Sequence, residues 1–181
     1  MNLGDRITIS LANLSDISGI AQVLDGTLGQ DFVYGQRSYQ SNVTYRFIRS
    51  IKDKHEGVYV AKENSDVVGL AWFLNHPPNN GTAILEMFAV RKDKQGQGIG
   101  SRLIADASDK FVESQRELGC NLRTLHLTTN YSNDRAKTIY SRAGFQVAGK
   151  IEGFVGDGNV EVVMIKKLSS ESAPIEYLTK R

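Results

Sequence analysis

The stretch that most constrains this chain is RKDKQGQGIGSRLI, residues 91–104, where three glycines stand between a strand-like run and a helix-like run. TAILEMFAV before it alternates as a strand does and ends near Val90. After it, Ile99, Leu103, Ile104, Ala107, Phe111 and Val112 mark one face of a long helix over residues 98–118. The first turn of a helix leaves backbone N–H groups without partners, and the aligned peptide dipoles add roughly half a positive charge there. A strand that delivers the chain to such an end through residues lacking a Cβ builds a place for an anion.

Two common phosphate motifs do not fit. A P-loop requires lysine and then serine or threonine after its last glycine, but Gly100 is followed by Ser101 and Arg102. The dinucleotide fingerprint requires glycine where this chain has Ser101. What stands is Gln95, Gly98 and Gly100 in the spacing Q-x-x-G-x-G. A second segment, NDRAKTIYSRAGF over residues 133–145, reads as a helix capped by Ser132 or Asn133. Its Ala136, Ile139, Tyr140 and Ala143 share a stripe, and Gly144 stands where a left-handed ending is needed.

The remaining pattern supplies the frame. Residues 7–11 alternate, Ile17, Ile20, Val23 and Leu24 have helical spacing after a Ser15 or Asp16 cap, and Val43, Phe47, Ile48 and Ile51 continue a second helix. VYVAKE and VVGLAWFL are joined by the turn cluster Asn64, Ser65 and Asp66, and HPPNNG ends the second of them. TLHLTT, the extended stretch from Phe145 to Ala148 and VEVVMIKKL read as further strands, with the glycine-rich turn GFVGDGN before the last. The order is strand, helix, helix, three strands, helix, strand, helix, two strands. That order implies an α/β (α+β) chain with a mixed sheet and helices against its faces.

Composition narrows the partners. At 181 residues the chain suits one domain over residues 1–168, with a loose tail at 169–181. The 22 basic and 20 acidic residues are scattered, which argues against a nucleic-acid partner. A lone Cys120 and three histidines without ligand spacing give no metal site. The N-terminus lacks an apolar leader and the longest apolar run, residues 70–74, is far too short to span a bilayer. A cytoplasmic protein with no membrane partner is expected.

Taken together, the Q-x-x-G-x-G loop and the segment from Asn133 to Phe145, in this order and separation, resemble the GNAT superfamily of acetyl-CoA-dependent N-acetyltransferases. The resemblance covers roughly residues 7–168 and implies a mostly antiparallel sheet of about seven strands flanked by about four helices. It implies that the backbone of Phe88, Ala89 and Val90 pairs with the pantetheine arm of acetyl-CoA. It also implies that the loop Gln95, Gly96, Gln97, Gly98, Ile99, Gly100 and Ser101 holds the pyrophosphate, that Asn133 contacts the arm and that Tyr140 lies near the sulfur. An extended, amide-bearing arm suits a free strand edge whatever the family.

Transfer to an amine needs a free lone pair, and an alkylamine has a pKa of about 10.4, so a base or a desolvated pocket is required. Glu86, four residues before Val90, is the candidate base, acting directly or through water, and Tyr140 is the candidate acid toward the thiolate. A small-molecule amine is the expected acceptor. Ribosomal-protein acetyltransferases of the superfamily carry a glutamate where spacing here places Thr128, which counts against a peptide N-terminus. Protein N-terminal or lysine acetylation, and a non-catalytic acyl-CoA-binding module, are the alternatives. Asp31, Tyr34 and Tyr39 are candidates for a polycation site, and the resemblance allows a homodimer.

Overall fold

A computed structural model describes residues 6–27, 38–76, 81–154 and 158–168, and describes side chains there except for residues 38–44. Its strands are β1 (Ile7–Leu11), β2 (Glu56–Glu63), β3 (Asp66–Leu74), β4 (Thr82–Val90), β5 (Thr124–Asn130), β6 (Gln146–Glu152) and β7 (Val160–Lys167). The helices are α1 (Ile17–Thr27), α2 (Ser38–Lys52), α3 (Ile99–Glu117) and α4 (Asp134–Arg142). The seven strands form one sheet in the order β1-β2-β3-β4-β5-β7-β6, antiparallel throughout except between β4 and β5. The expected mixed, mostly antiparallel sheet with four helices is what the chain forms.

Alternation explains the two cores. On one face, Leu103, Ile104, Ala107 and Phe111 of α3 pack on Tyr59, Ala71, Phe73, Leu85 and Leu125. Phe73 and Phe111 stack with ring centroids 5.0 Å apart. On the other face, Ile20, Val23 and Leu24 of α1 and Phe47 of α2 cover Val58, Val60, Leu70 and Trp72. In the turn between β2 and β3, Asn64 takes φ 57°, a conformation asparagine tolerates. Before α1 the structure inserts a short 3-10 turn, Leu14–Asp16, capped by Asn13 rather than by Ser15 or Asp16.

The feature that positions the site is a mismatch around β4. Its pairing with β3 runs from Ile84 to Val90, but its parallel pairing with β5 covers only Thr82, Ala83 and Ile84. Beyond Ile84 the two strands part. The register with β3 also slips there: Trp72 pairs with Met87 and Phe73 with Leu85, leaving Glu86 as the extra residue of a bulge. The slip exchanges faces, so that Ala83 and Leu85, then Phe88 and Val90, face α3, while Ile84, Met87 and Ala89 face α1 and α2.

Asp31 and Tyr34, the residues of the HPPNNG segment at 77–80, residues 155–157 of the glycine-rich turn and the tail after Leu168 lie outside the described residues, as does the Tyr39 side chain. No helix among the described residues is long and apolar enough to cross a membrane. Since Phe111 is fully buried against Phe73, Phe111→Ala is expected to lower unfolding free energy by about 3–5 kcal/mol. Urea denaturation checks this, and a loss below the scatter of surface variants would remove Phe111 from the core.

Candidate active site

The parting of β4 from β5 leaves one edge of β4 without a partner strand among the described residues. Arg91 donates its backbone N–H to Val68 on β3, 2.9 Å away. By the alternation of a strand, Val90 and Phe88 then turn their N–H and C=O groups to the opposite, unpaired edge. Phe88, Ala89 and Val90 line a cleft of about 290 Å³ whose far wall is Asn133, Arg135, Ala136, Ile139 and Tyr140 of the α4 segment. Thr27, at the end of α1, closes it on the side of the second core.

The cleft runs into the glycine loop. A 3-10 turn, Lys92–Lys94, brings the chain from β4 to Gln95, and Gly96 and Gly98 then adopt φ of 78° and 79°. Those angles demand glycine in this loop. A Cβ at either position would meet no protein atom within 4 Å, so the space above the loop is open to a ligand. The first backbone donor of α3 to find a partner in the preceding turn is Arg102, bonded to the Gly98 carbonyl at 3.1 Å. The earlier amides of Ile99, Gly100 and Ser101 stay at the open helix end, and no acidic side chain occupies that first turn. A second cavity of about 330 Å³ adjoins the first here, lined by Gly96, Gly98, Gly100, Ser101, Arg135, Thr138, Ile139 and Arg142. An elongated groove with exposed amides along one wall and a cationic, amide-rich end suits an amide-bearing arm attached to a diphosphate.

The structure gives the expected loop and helix residues definite partners. The Gln95 side chain donates to the Val90 carbonyl at 2.8 Å and accepts from the Arg135 guanidinium at 2.7 Å, tying the loop after β4 to α4 across the groove. Asn133 is the N-cap of α4: its Oδ1 accepts from the Ala136 N–H at 3.1 Å while the residue itself lines the cleft. Ser132 instead bonds to Asn130. Gln97 folds back, donating to the Asp93 carbonyl at 3.2 Å, and Ile99 sends its side chain into the core.

Arg135, Thr138 and Arg142 did not emerge from the sequence reading. The signal that locates them is their own spacing, which puts all three on the stripe of α4 that faces the N-terminus of α3. Tyr140 is 7% exposed, packed edge-on against Phe88 at 5.8 Å and Phe145 at 6.2 Å, and it lines the cleft. Burial pushes its phenol up to about 12, so it is protonated at neutral pH. Glu86 is exposed at the bulge, beside the point where β4 leaves β5. His126 pairs with Ile84 at that point, and burial holds its imidazole below the usual range against an opposing hydrogen bond to the Ala83 backbone. Among the described residues no group of three or more His, Cys, Asp or Glu is arranged to hold a metal ion.

The splayed β4/β5 pair and the glycine-rich start of α3 thus bound one open groove. A profile described as acetyltransferase (GNAT) domain matches residues 54–147, and the chain belongs to that family. It is 29% identical over 108 residues to a probable spermine N(1)-acetyltransferase of Bacillus subtilis subsp. natto, spanning 57% of this chain and 64% of that relative's length. The fold matches a mutant of the spermidine N-acetyltransferase SpeG from Vibrio cholerae with a TM-score of 0.71, at 17% identity over 90% of this chain and 94% of that one. It also matches YncA from Salmonella typhimurium, solved with its cofactor acetyl-CoA, with a TM-score of 0.67 at 19% identity over 93% and 98% of the two chains.

Tyr140 yields a test that needs no ligand. Its folded pKa lies above the ordinary value of about 10, so ionisation favours the unfolded chain. Stability tied to this group is intact below pH about 10 and falls as pH rises from there to about 12. In an ultraviolet titration of the folded protein, the absorbance step removed by Tyr140→Phe is expected near pH 12. A Tyr140 step at pH about 10 would show the ring to be solvated.

Proposed function

We propose that the chain is a cytoplasmic N-acetyltransferase, formed by residues 1–168, that moves the acetyl group of acetyl-CoA to a primary amine of a small molecule. The observation that carries this reading is the free Phe88–Val90 edge running directly into the unpartnered amides at the start of α3, with a protonated Tyr140 in the wall between them. The spermine acetyltransferase relative supports an alkylamine acceptor.

Acetyl-CoA supplies an activated acyl carbon and a thiolate leaving group. Phe88 and Val90 hold the arm through their outward backbone groups, with Gln95 already occupying the Val90 carbonyl and thereby setting the loop. The amides at Gly96 to Ser101, with Arg135 and Arg142, hold the diphosphate. A backbone N–H on the free edge of β4 is placed to bond a carbonyl oxygen as it gains charge. Glu86, directly or through a water, takes the proton that the attacking ammonium must lose. Tyr140 donates its phenolic proton toward the departing sulfur, whose thiol pKa is about 8.5, and recovers a proton from solvent. Because its own pKa is so much higher, it returns to the neutral form at neutral pH.

Purified protein incubated with acetyl-CoA and a panel of primary amines should release free thiol. Binding of coenzyme A with no thiol release from any amine would leave only a binding module. Tyr140→Phe is expected to lower kcat by about a hundredfold with little change in coenzyme A affinity. Unchanged kcat in that variant would take the phenol out of the chemistry. Gly98→Asp places bulk and negative charge over the open helix end and strains a φ of 79°. It should weaken coenzyme A binding at least about tenfold in calorimetry, and wild-type affinity would place the diphosphate elsewhere.

A further inference from the structure

At the far end of the sheet from β1, β6 closes the strand order, and no strand among the described residues pairs with its outer side. Apart from the half-buried Gly149, its residues are exposed. Large apolar side chains left in water gather around it: Val147 and Ile151 on the strand, Phe154 just after it and Tyr131 under the Lys150 ammonium. Such an edge accepts another strand unless charge, proline or a bulge prevents it. β6 has no proline, its bulge falls between Val147 and Gly149, and its charges are Lys150 and Glu152.

Two hydrogen bonds fix which backbone groups of β6 face outward. The Gly153 N–H donates to the Asn159 carbonyl at 2.9 Å, and these two residues continue the β6–β7 register by one step. By alternation Ile151 and Gly149 also bond inward to β7, whereas Lys150 and Glu152 turn their N–H and C=O groups away from it. The Val160 carbonyl, opposite Glu152, agrees, because it accepts from the Tyr131 N–H on the β5 side at 2.8 Å. Beyond the bulge the regular edge therefore offers two residues, Lys150 and Glu152, opposite in charge and on one face of the strand.

An antiparallel partner must set outward-bonding residues against outward-bonding residues. For a second copy of β6 related by a two-fold axis, the stretch 149–153 then allows Lys150 opposite Lys150, Glu152 opposite Glu152, or Lys150 opposite Glu152 with the axis at Ile151. The first two oppose like charges across the joint, while the third makes an opposite-charge pair on each side of the axis. It also brings the exposed Ile151 side chains of the two copies together. We infer that the chain forms a homodimer through β6, with the axis at Ile151 and Lys150 of each copy facing Glu152 of the other. Each such pair exchanges both of its main-chain hydrogen bonds, and the two sheets become one. The Tyr131 ring, 3.9 Å from the Lys150 ammonium, holds that charge on the face where the opposing carboxylate arrives. Because β5 and β7 separate this edge from β4, the inference is independent of the acetyl-transfer reading.

Sedimentation equilibrium at micromolar concentrations should give the wild type twice the monomer mass. Lys150→Glu and Glu152→Lys should each raise the dimer dissociation constant about tenfold or more, and the double reversal should return it to within about threefold of wild type. Ile151→Cys, whose Cα would lie about 4.5 Å from its copy across the axis, should link into a covalent dimer under mild oxidation. Val147→Cys, more exposed but off the axis, should not, and the native Cys120 is buried. A wild type that stays monomeric, single reversals that leave association unchanged, a double reversal as weak as the singles, or equal linking of the two cysteine variants overturns the proposal.

Discussion

Everything at the site depends on two parallel strands that pair for three residues and then separate. While β4 and β5 are joined, from Thr82 to Ile84, the sheet is continuous and both faces can be covered. Once they diverge, a strand edge in the middle of the sheet is left with backbone donors and acceptors that no other strand among the described residues takes up. Such an edge is ordinarily a liability. The bulge at Glu86 works with this divergence: one extra residue bends β4, exchanges the faces of everything after it and turns a carboxylate toward the face of α1 and α2.

Charge is sorted along the same axis. At one end the open amides of α3, Arg135 and Arg142 surround the outlet of the groove. On the opposite face of the sheet lies Glu86. A net charge of +2 hides this separation, since it averages two local fields of opposite sign. The Gln95 amide joins the two walls by using both its donor and its acceptor, which orients the Arg135 guanidinium through a neutral partner that does not cancel its charge.

The elements themselves were readable because each is set by neighbours in sequence. Leu103, Ile104, Ala107 and Phe111 recur at helical spacing, and they are the residues that α3 buries. Asn133 has the side chain an N-cap needs and fills that role. Gln95 stands out in the loop spacing, but that its side chain meets the Val90 carbonyl depends on how the loop folds over the end of β4. The bulge at Glu86 was not readable, because TAILEMFAV alternates well enough to pass for a regular strand.

By itself, the order of residues determined the strands and helices, the glycine-rich loop before α3 and the helix end that it leaves open, since periodicity and unpaired first-turn amides are local properties. Tertiary structure decided which strand edge stays unpaired, which face Glu86 takes, and that Arg135 meets Gln95. Those outcomes depend on the register between strands far apart in the chain and on which side of the sheet each helix comes to rest, and neither quantity is encoded at any one position.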